Sequence, residues 1–499
     1  MLQATADRLD QEPEPLFAQA RRAVIWRSGA QIVGQLITWA ATFLVIRILD
    51  PHDYGLFAMT QVVLSFLNML NGAGLTRGLI QQREADDRSI RQLYGMLIVL
   101  NFSLGALQFA LAPLAAAYFH QPVVTDLLRV QSFLYFTTPF VAFPYALLAR
   151  SIDFKHQARV YLLSSVAGAI TALAGAYGGL GVWTLIAAPI ALFTTRAIGM
   201  TIASGHRYRP SFDFRGAGTL AKFGGIMATG QLFWLLQSQA DVFIGGPRLS
   251  PATLGLYTTG LFLTQILVSK FVPAINDVAF SIYARMQEDP AAIALGFLRS
   301  ARMVMLVAMP FYIGLAATAE PLVATVLGPK WMEAAPLVRL LALSMPAMTM
   351  QVLFSPVCDA IGRPGIGLST GIVGAVIMPT SFLVGIHWGV TGLATSWLIG
   401  YPIYLAITAA RALPVIGVSA RALIGAITPV LIAAIGMGAV VVTIDHWLPA
   451  MAPQARVAIL VAIGAAVYLG WLSLFARDML REALDMARGR QAAPVTSAA

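Results

Sequence analysis

Polar side chains recur at helical spacing inside stretches that are otherwise apolar, and they are the residues able to do chemistry. Arg27, Gln31, Gln35, Thr38 and Thr42 fall three or four positions apart, which puts them on one helical face. Gln61, Ser65 and Asn68 form a second stripe, extended by Asn71 or Gly72. Gln231, Gln237, Ser238, Gln239 and Asp241 share a third segment, and Thr258, Gln265, Ser269 and Asn276 a fourth. Polar groups in hydrocarbon are costly and face protein or a water-filled cavity. Hydrogen-bonded glue between helices accounts for any one of these residues. A polar cavity accounts for their concentration in four segments. Asp241 asks for more, because a carboxylate in such a segment needs a cation, a proton or a hydrogen-bond donor. Arg47 is one candidate partner. Arg27, Lys270 and Arg47 also fit snorkelling to the membrane surface.

No catalytic constellation accompanies the stripes. There is no GxxxxGK[ST] loop, no metal-ligand spacing among the six histidines, and no Ser-His-Asp set in a loop large enough for an active site. Asp86-Asp87 and Glu288-Asp289 read as solvated charge. The single cysteine, Cys358, excludes an internal disulfide. The expectation is a protein that is not an enzyme and carries neither cofactor nor metal.

The elements that must position the stripes are membrane helices. The chain is 58% hydrophobic and 11% charged, with mean hydropathy +0.74, whereas a soluble domain averages about 25% charged. Apolar stretches at 24–46, 55–74, 93–118, 128–149, 160–177, 180–203, 221–245, 252–275, 302–327, 336–359, 365–386, 388–410, 422–443 and 457–476 are each near the roughly 20 residues a spanning helix needs. With the N-terminus in the cytoplasm, all but Arg47, Arg129, Arg248, Lys330, Arg339 and Arg456 of the 33 Lys and Arg residues fall on the cytoplasmic side. One mistaken span would destroy that bias, so the positive-inside rule supports the plan. The net charge of +10 is thereby read as topology and attraction to lipid headgroups, not as nucleic-acid binding. Asp7, Asp10, Glu12 and Glu14 precede a first apolar run too long for a signal-peptide core, so no cleavable signal is expected. The segments 204–220 and 276–301 read as short amphipathic pieces on the inner leaflet, and Gln491 to Ala499 as disordered.

The chain also repeats. Gly34-Gln35-Leu36 returns as Gly230-Gln231-Leu232, Pro51…Gly55-Leu56-Phe57 as Pro251…Gly255-Leu256-Tyr257, Phe143-Pro144…Arg150 as Ser355-Pro356…Arg363, and Gly178…Gly181 as Gly389…Gly392. The expected fold is all-α and polytopic, with about fourteen helices. A cytoplasmic tail (1–23) precedes an N-lobe of six (24–203). A cytoplasmic linker (204–220) leads to a C-lobe of six (221–410), followed by two further helices (411–476) and a cytoplasmic tail (477–499). Six is an even number, so the halves are parallel repeats, an arrangement that encloses a central site and rocks about it.

The run Arg47-Ile-Leu-Asp-Pro-His-Asp-Tyr-Gly55, with Gly72-Ala-Gly74-Leu75 and Gly78-Leu-Ile-Gln81, resembles bacterial polysaccharide-export flippases. These are the Wzx-like transporters of the multidrug/oligosaccharidyl-lipid/polysaccharide (MOP) superfamily. The resemblance continues at Ala146-Leu-Leu-Ala-Arg150…Phe154, Gly179-Leu-Gly-Val-Trp183, Ile282-Tyr-Ala-Arg-Met-Gln287…Asp289 and Ala360-Ile-Gly-Arg-Pro364, and covers most of residues 25–400. It implies two six-helix lobes around a cavity. It also implies movement of undecaprenyl-pyrophosphate-linked oligosaccharide from the cytoplasmic to the periplasmic leaflet of the bacterial inner membrane, for O-antigen, capsule or exopolysaccharide synthesis. Arg27, then Arg47 and Lys270, become the candidates for the pyrophosphate, since a guanidinium fork suits phosphate. Gln31, Gln35, Gln61, Asn68, Gln231, Gln237 and Gln265 would line the substrate cavity. Asp241 would couple transport to a proton or sodium gradient. Expected partners are the lipid-linked substrate, membrane lipids, and a polysaccharide polymerase and co-polymerase. The competing readings are another exporter of the superfamily (a drug/cation antiporter or a peptidoglycan-precursor flippase) and a membrane polymerase or ligase. An enzyme of that kind would need a larger outer loop than the stretch 320–336 with Glu320, Lys330 and Glu333.

Overall fold

The structure, a computed structural model, describes residues 16–71, 87–150, 154–206, 208–215 and 232–487. Those residues are mostly helical, with no strand among them, and they divide into two compact units, Met1–Leu232 and Phe233–Ala499. The first unit holds α1 (Leu16–Ile48), α2 (Pro51–Asn68), α3 (Asp87–Phe119), α4 (Val123–Gln131), α5 (Phe133–Arg150), α6 (Phe154–Tyr177) and α7 (Val182–Ser204). The second holds α8 (Ala240–Gly245), α9 (Pro251–Lys270), α10 (Val272–Arg285), α11 (Pro290–Ala317), α12 (Ala319–Val326), α13 (Ala335–Val352), α14 (Phe354–Ala360), α15 (Pro364–Gly385), α16 (Gly389–Ile416), α17 (Ala420–Trp447), α18 (Pro453–Phe475) and α19 (Arg477–Ala487).

Eleven segments of the described residues are helices long and apolar enough to cross a membrane, and the one over Pro364–Ile416 contains both α15 and α16. The expected second span is the more polar helix α2, which is not among the eleven. The expected seventh lies partly outside the described residues, as do Gln231, the side chain of Arg27, and Gln491 to Ala499. The count of fourteen therefore stays an expectation. The helix starts follow local chemistry. Proline, which lacks an N–H, occupies the first helical position of α2, α9, α11, α15 and α18. Before α2, the Asp53 carboxylate accepts from the Asp50 N–H at 3.3 Å; before α9, the Ser250 hydroxyl accepts from the Thr253 N–H at 3.2 Å. The repeated motif is thus the same helix start used twice. Exposed Tyr177, Trp388 and Trp447 sit at helix ends on the expected outer side, where amphipathic rings anchor at the headgroup level.

The matching of the later glycines shifts on inspection of the backbone. Gly181 (φ 53°, ψ −131°) precedes α7 and Gly389 (φ 67°, ψ −151°) opens α16. They share a conformation open to glycine alone. Gly181 therefore corresponds to Gly389, not Gly178 to Gly389. The sequence motif pointed to the right turn, three residues out of step.

The segment expected to be an amphipathic piece at 204–220 is instead, over 205–215, a non-helical strap on the end of α3. The Ser211 N–H donates to the Arg91 carbonyl (2.9 Å), Gln92 Nε2 to the Asp213 carbonyl (2.7 Å), and Arg91 Nε to the Arg209 carbonyl (3.2 Å). Arg88 pairs with Asp213 at 3.3 Å. The Arg91 and Gln92 side chains thereby satisfy strap carbonyls that a helix would have satisfied internally. His206 lies edge-on to Phe143 (5.0 Å) and Tyr94 (5.6 Å), and neither ring nitrogen has a hydrogen-bond partner among the described residues. Likewise, 276–301 is not one surface helix: it is the end of α10 and the start of α11, broken at Asp289-Pro290, where Asp289 caps α11. On α11, Arg299 and Arg302 both pair with Glu482 of α19, which docks the C-terminal helix.

Two predictions follow from these contacts. Gly181→Ala forces a side chain into a backbone region it does not occupy and should cost about 1–3 kcal/mol, read as a fall in the thermal midpoint of the detergent-solubilised protein; Gly436→Ala, where no atom lies within 4 Å, should not cost stability. Burial lowers the His206 pKa, so the free strap takes up a proton more readily than the docked one. The stabilisation is present above the ordinary histidine pKa of about 6.5 and is lost as pH falls below it. Hydrogen exchange of residues 208–215 should quicken in that window, and His206→Phe should abolish the change.

Candidate functional site

The polar stripes divide into two groups once their hydrogen bonds are traced. In the first, the side chain bonds its own helix or a neighbour. Thr38 Oγ1 donates to the Gly34 carbonyl and Thr42 Oγ1 to that of Thr38, each at 2.8 Å. Gln237 Nε2 donates to the carbonyls of Phe233 and, on α15, Gly371, both at 3.0 Å. Asn276 Nδ2 donates to the Val352 carbonyl at 3.2 Å. These are the glue of the helix bundle. The second group is more accessible: Gln31, Arg47, Asn68 and Lys270 are exposed, and Gln35, Gln61 and Gln265 half-buried.

Asp241 belongs to neither group. The helical stretch 232–238 breaks at Gln239 (φ −124°, ψ −4°) before α8 begins. Interrupted helices of this kind are found where transporters bind their ligands. Asp241, in the first turn of α8, is fully buried. Its Oδ1 accepts from the Val242 N–H and its Oδ2 from the Tyr257 hydroxyl on α9, both at 2.7 Å. The Tyr257 oxygen in turn accepts from Trp397 Nε1 on α16 at 2.6 Å. Each oxygen therefore has a neutral donor from within the second unit. The chain has a fixed direction. Indole can only donate, so the one hydroxyl hydrogen of Tyr257 is committed to Asp241. Beyond Trp397 the aromatic row continues to Tyr401 (stacked, 5.3 Å) and Tyr404 (6.1 Å). Gly374 of α15 lets this row meet Gln237: a Cβ there would lie 2.5 Å from Gln237 Oε1 and 2.7 Å from Tyr404 Cζ. Asp241 and Gln237, chosen from sequence as polar positions, thus lie at two ends of one network.

The first unit contains a charged residue that the sequence plan counted on the cytoplasmic side. Arg196 lies eight residues before the end of α7, inside a candidate membrane span, about 12 Å along the helix from its end at 1.5 Å per residue. Its guanidinium carbon stands 4.8 Å from the Tyr161 ring centroid and 5.4 Å from that of Phe193, and Nε donates to Ser164 Oγ at 3.2 Å. A mid-bilayer arginine costs about 2.5–3.5 kcal/mol on insertion scales, and a desolvated cation–π contact returns about 2 kcal/mol. The missed signal was its distance from the nearest loop residue, Gly205, which exceeds one turn.

A groove of about 700 Å³ between α15 and α16 is lined by Val376, Thr380, Trp388, Ile399 and Ile403 among others, with no ionisable group. Its chemistry suits hydrocarbon. Among the described residues no group of His, Cys, Asp and Glu could hold a metal.

Tyr257→Phe should leave Asp241 Oδ2 and the Trp397 N–H each without a partner, at about 1–3 kcal/mol per orphaned group. In a cycle with Asp241→Asn, the two substitutions should be non-additive by at least about 0.5 kcal/mol, measured from thermal unfolding in detergent.

Comparison with known proteins bears on this arrangement. A family model described as polysaccharide biosynthesis protein matches residues 44–336. The chain is 27% identical over 493 residues to the succinoglycan biosynthesis transport protein ExoT of Rhizobium meliloti (strain 1021), covering 94% of this chain and 97% of that one. It is 25% identical to the teichuronic acid biosynthesis protein TuaB of Bacillus subtilis (strain 168), covering 81% and 85%. Its fold is similar to the inward closed conformation of the lipid II flippase MurJ, with a TM-score of 0.74 and 13% identity over 91% of this chain and 100% of that one. The helical membrane fold and the match across more than half its length place this chain in the polysaccharide biosynthesis protein family, of which the relative ExoT is named as a transport protein.

Proposed function

We propose that this protein flips undecaprenyl-pyrophosphate-linked oligosaccharide repeat units from the cytoplasmic to the periplasmic leaflet of the bacterial inner membrane by alternating access. The observation that carries the reading is the helix start used once in each compact unit, at Asp50-Pro51 and Ser250-Pro251, within a fold similar over 91% of the chain to a lipid flippase. Two related lobes, 24–203 and 221–410, would rock against one another, while the helices of 411–476 pack alongside. The exposed polar side chains Gln31, Asn68 and Lys270 and the half-buried Gln35, Gln61 and Gln265 are available to a glycan, which offers hydroxyls to each. The isoprenoid chain would stay in the bilayer. The Arg-rich α3 end and strap, and the α11–α19 ion pairs, suit the cytoplasmic face by the positive-inside rule, with both termini on that side. A polymerase and co-polymerase would receive the product.

Asp241 is the proposed coupling residue for a proton or sodium gradient. Its Oδ2 receives the only hydrogen of Tyr257, so a proton or cation arriving at that oxygen weakens its hold on the hydroxyl and favours release. The released hydroxyl loses its ordered relation to Trp397, and the change reaches α16. One charge moved through 100 mV supplies about 2.3 kcal/mol, comparable to the two hydrogen bonds at stake.

In a deletion strain, labelled lipid-linked oligosaccharide should accumulate on the cytoplasmic leaflet and return to the periplasmic leaflet with the wild-type gene. Asp241→Asn should reduce flipping at least tenfold and remove its response to collapse of the gradient. Normal delivery of repeat units to the outer face without polymer would reject the flippase in favour of a polymerase.

A further inference from the structure

We propose that Arg196 is an anion-binding residue of the first unit, taking a phosphate group of the polyprenyl-pyrophosphate carrier; the proposal rests on the flippase reading above and names a residue for it. Among the described residues Arg196 has no carboxylate partner, and of its five N–H groups only Nε is engaged there, by Ser164 Oγ. That hydroxyl gives its own hydrogen to the Tyr161 carbonyl at 2.8 Å, so it can meet Arg196 only as an acceptor. The contact holds the guanidinium in place and leaves the two terminal nitrogens free. Their four hydrogens form the fork that matches two oxygens of a phosphate.

The surroundings hold the cation without neutralising it. Tyr161 presents its ring to the guanidinium and itself lies against α1 at Gly34, where a Cβ would stand 2.5 Å from the ring. Gly34, the first residue of a motif that the sequence repeats, thereby acquires a physical reason: it admits the ring on which Arg196 rests. Gln157, one turn before Tyr161 on the same face of α6, is buried and its Nε2 has no partner among the described residues. A second unused donor therefore stands on the helix face that carries Tyr161 and Ser164, nearer the expected cytoplasmic end. Packing alone does not call for a cation here. The shift of 208 that places Gly181 on Gly389 carries Arg196 onto Tyr404, so the second unit fills the equivalent position with a neutral ring.

The test uses the purified full-length protein in detergent and four probes: undecaprenyl pyrophosphate, undecaprenol, inorganic pyrophosphate and, as competitor, undecaprenyl phosphate. Binding is read by native mass spectrometry, with the thermal midpoint as a check on folding. Arg196→Gln should weaken undecaprenyl pyrophosphate at least tenfold and leave undecaprenol unchanged, while Arg196→Lys should retain part of the loss-sensitive affinity because it keeps charge without the fork. Should Arg196→Gln fail to fold, Ser164→Ala, which removes only the acceptor for Nε, should weaken the pyrophosphate lipid about threefold. Equal affinity of the folded variants and wild type, within twofold, overturns the role of Arg196 and leaves the flippase standing. Failure of the wild type to prefer undecaprenyl pyrophosphate over undecaprenol overturns both. Binding of inorganic pyrophosphate that the lipid cannot displace overturns the lipid headgroup as the source of the anion.

Discussion

Every polar group buried by this chain must find its partner within the protein, because hydrocarbon offers none. That constraint orders the rest of the structure. It makes the backbone helical, and it turns Thr38, Thr42 and Gln237 inward onto carbonyls. It also gives meaning to departures. Where the backbone leaves the helix, at Gln239 before α8, the neighbouring carboxylate is met by a backbone N–H and a tyrosine. Where the chain leaves α7, the strap is met by Gln92 and Arg91. A polar side chain that satisfies itself locally says little about function. Asp241, which draws on two other helices through one hydrogen, and Arg196, which leaves most of its donors unused, say more.

The architecture was largely legible in the sequence because its causes are local or periodic. Length and hydropathy mark spans, and Pro51 and Pro251 announce helix starts. The chemistry was legible only in part. Asp241 stood out as a carboxylate in an apolar segment, but its partners Tyr257 and Trp397 are sixteen and 156 residues away, and hydrogen-bond direction has no sequence signature. Arg47 looked like a partner because opposite charge is the simplest answer, whereas the donors seen on the carboxylate are neutral. Arg196 was hidden by bookkeeping of another kind: positive residues were counted by side of the membrane, and one that lies within a helix was counted with its neighbours. The strap was misread because an apolar and basic composition fits a surface helix equally well. Only the donors on α3 decide between them.

Duplication separates what the fold requires from what the function requires. A feature present in both halves, such as the capped proline start or the Gly181 and Gly389 turns, belongs to the packing of a lobe. A feature present in one half needs another reason. Tyr257 falls on Phe57 at the offset of 200 set by the two prolines. Asp241 falls on Ala41 at that offset, or on Val45 at the offset of 196 set by the Gly-Gln-Leu motif, and both are buried and apolar. Arg196 falls on Tyr404. In each comparison the other half does without the carboxylate, the hydroxyl or the guanidinium at that position. The lobe thus folds with either version, and packing alone does not explain the acid, its hydroxyl donor or the arginine. Such residues carry a cost in a membrane that their counterparts avoid. A cost borne on one side of a duplicated scaffold, with an uncharged alternative present in the same chain, is the physical argument for the transport roles proposed for these three residues.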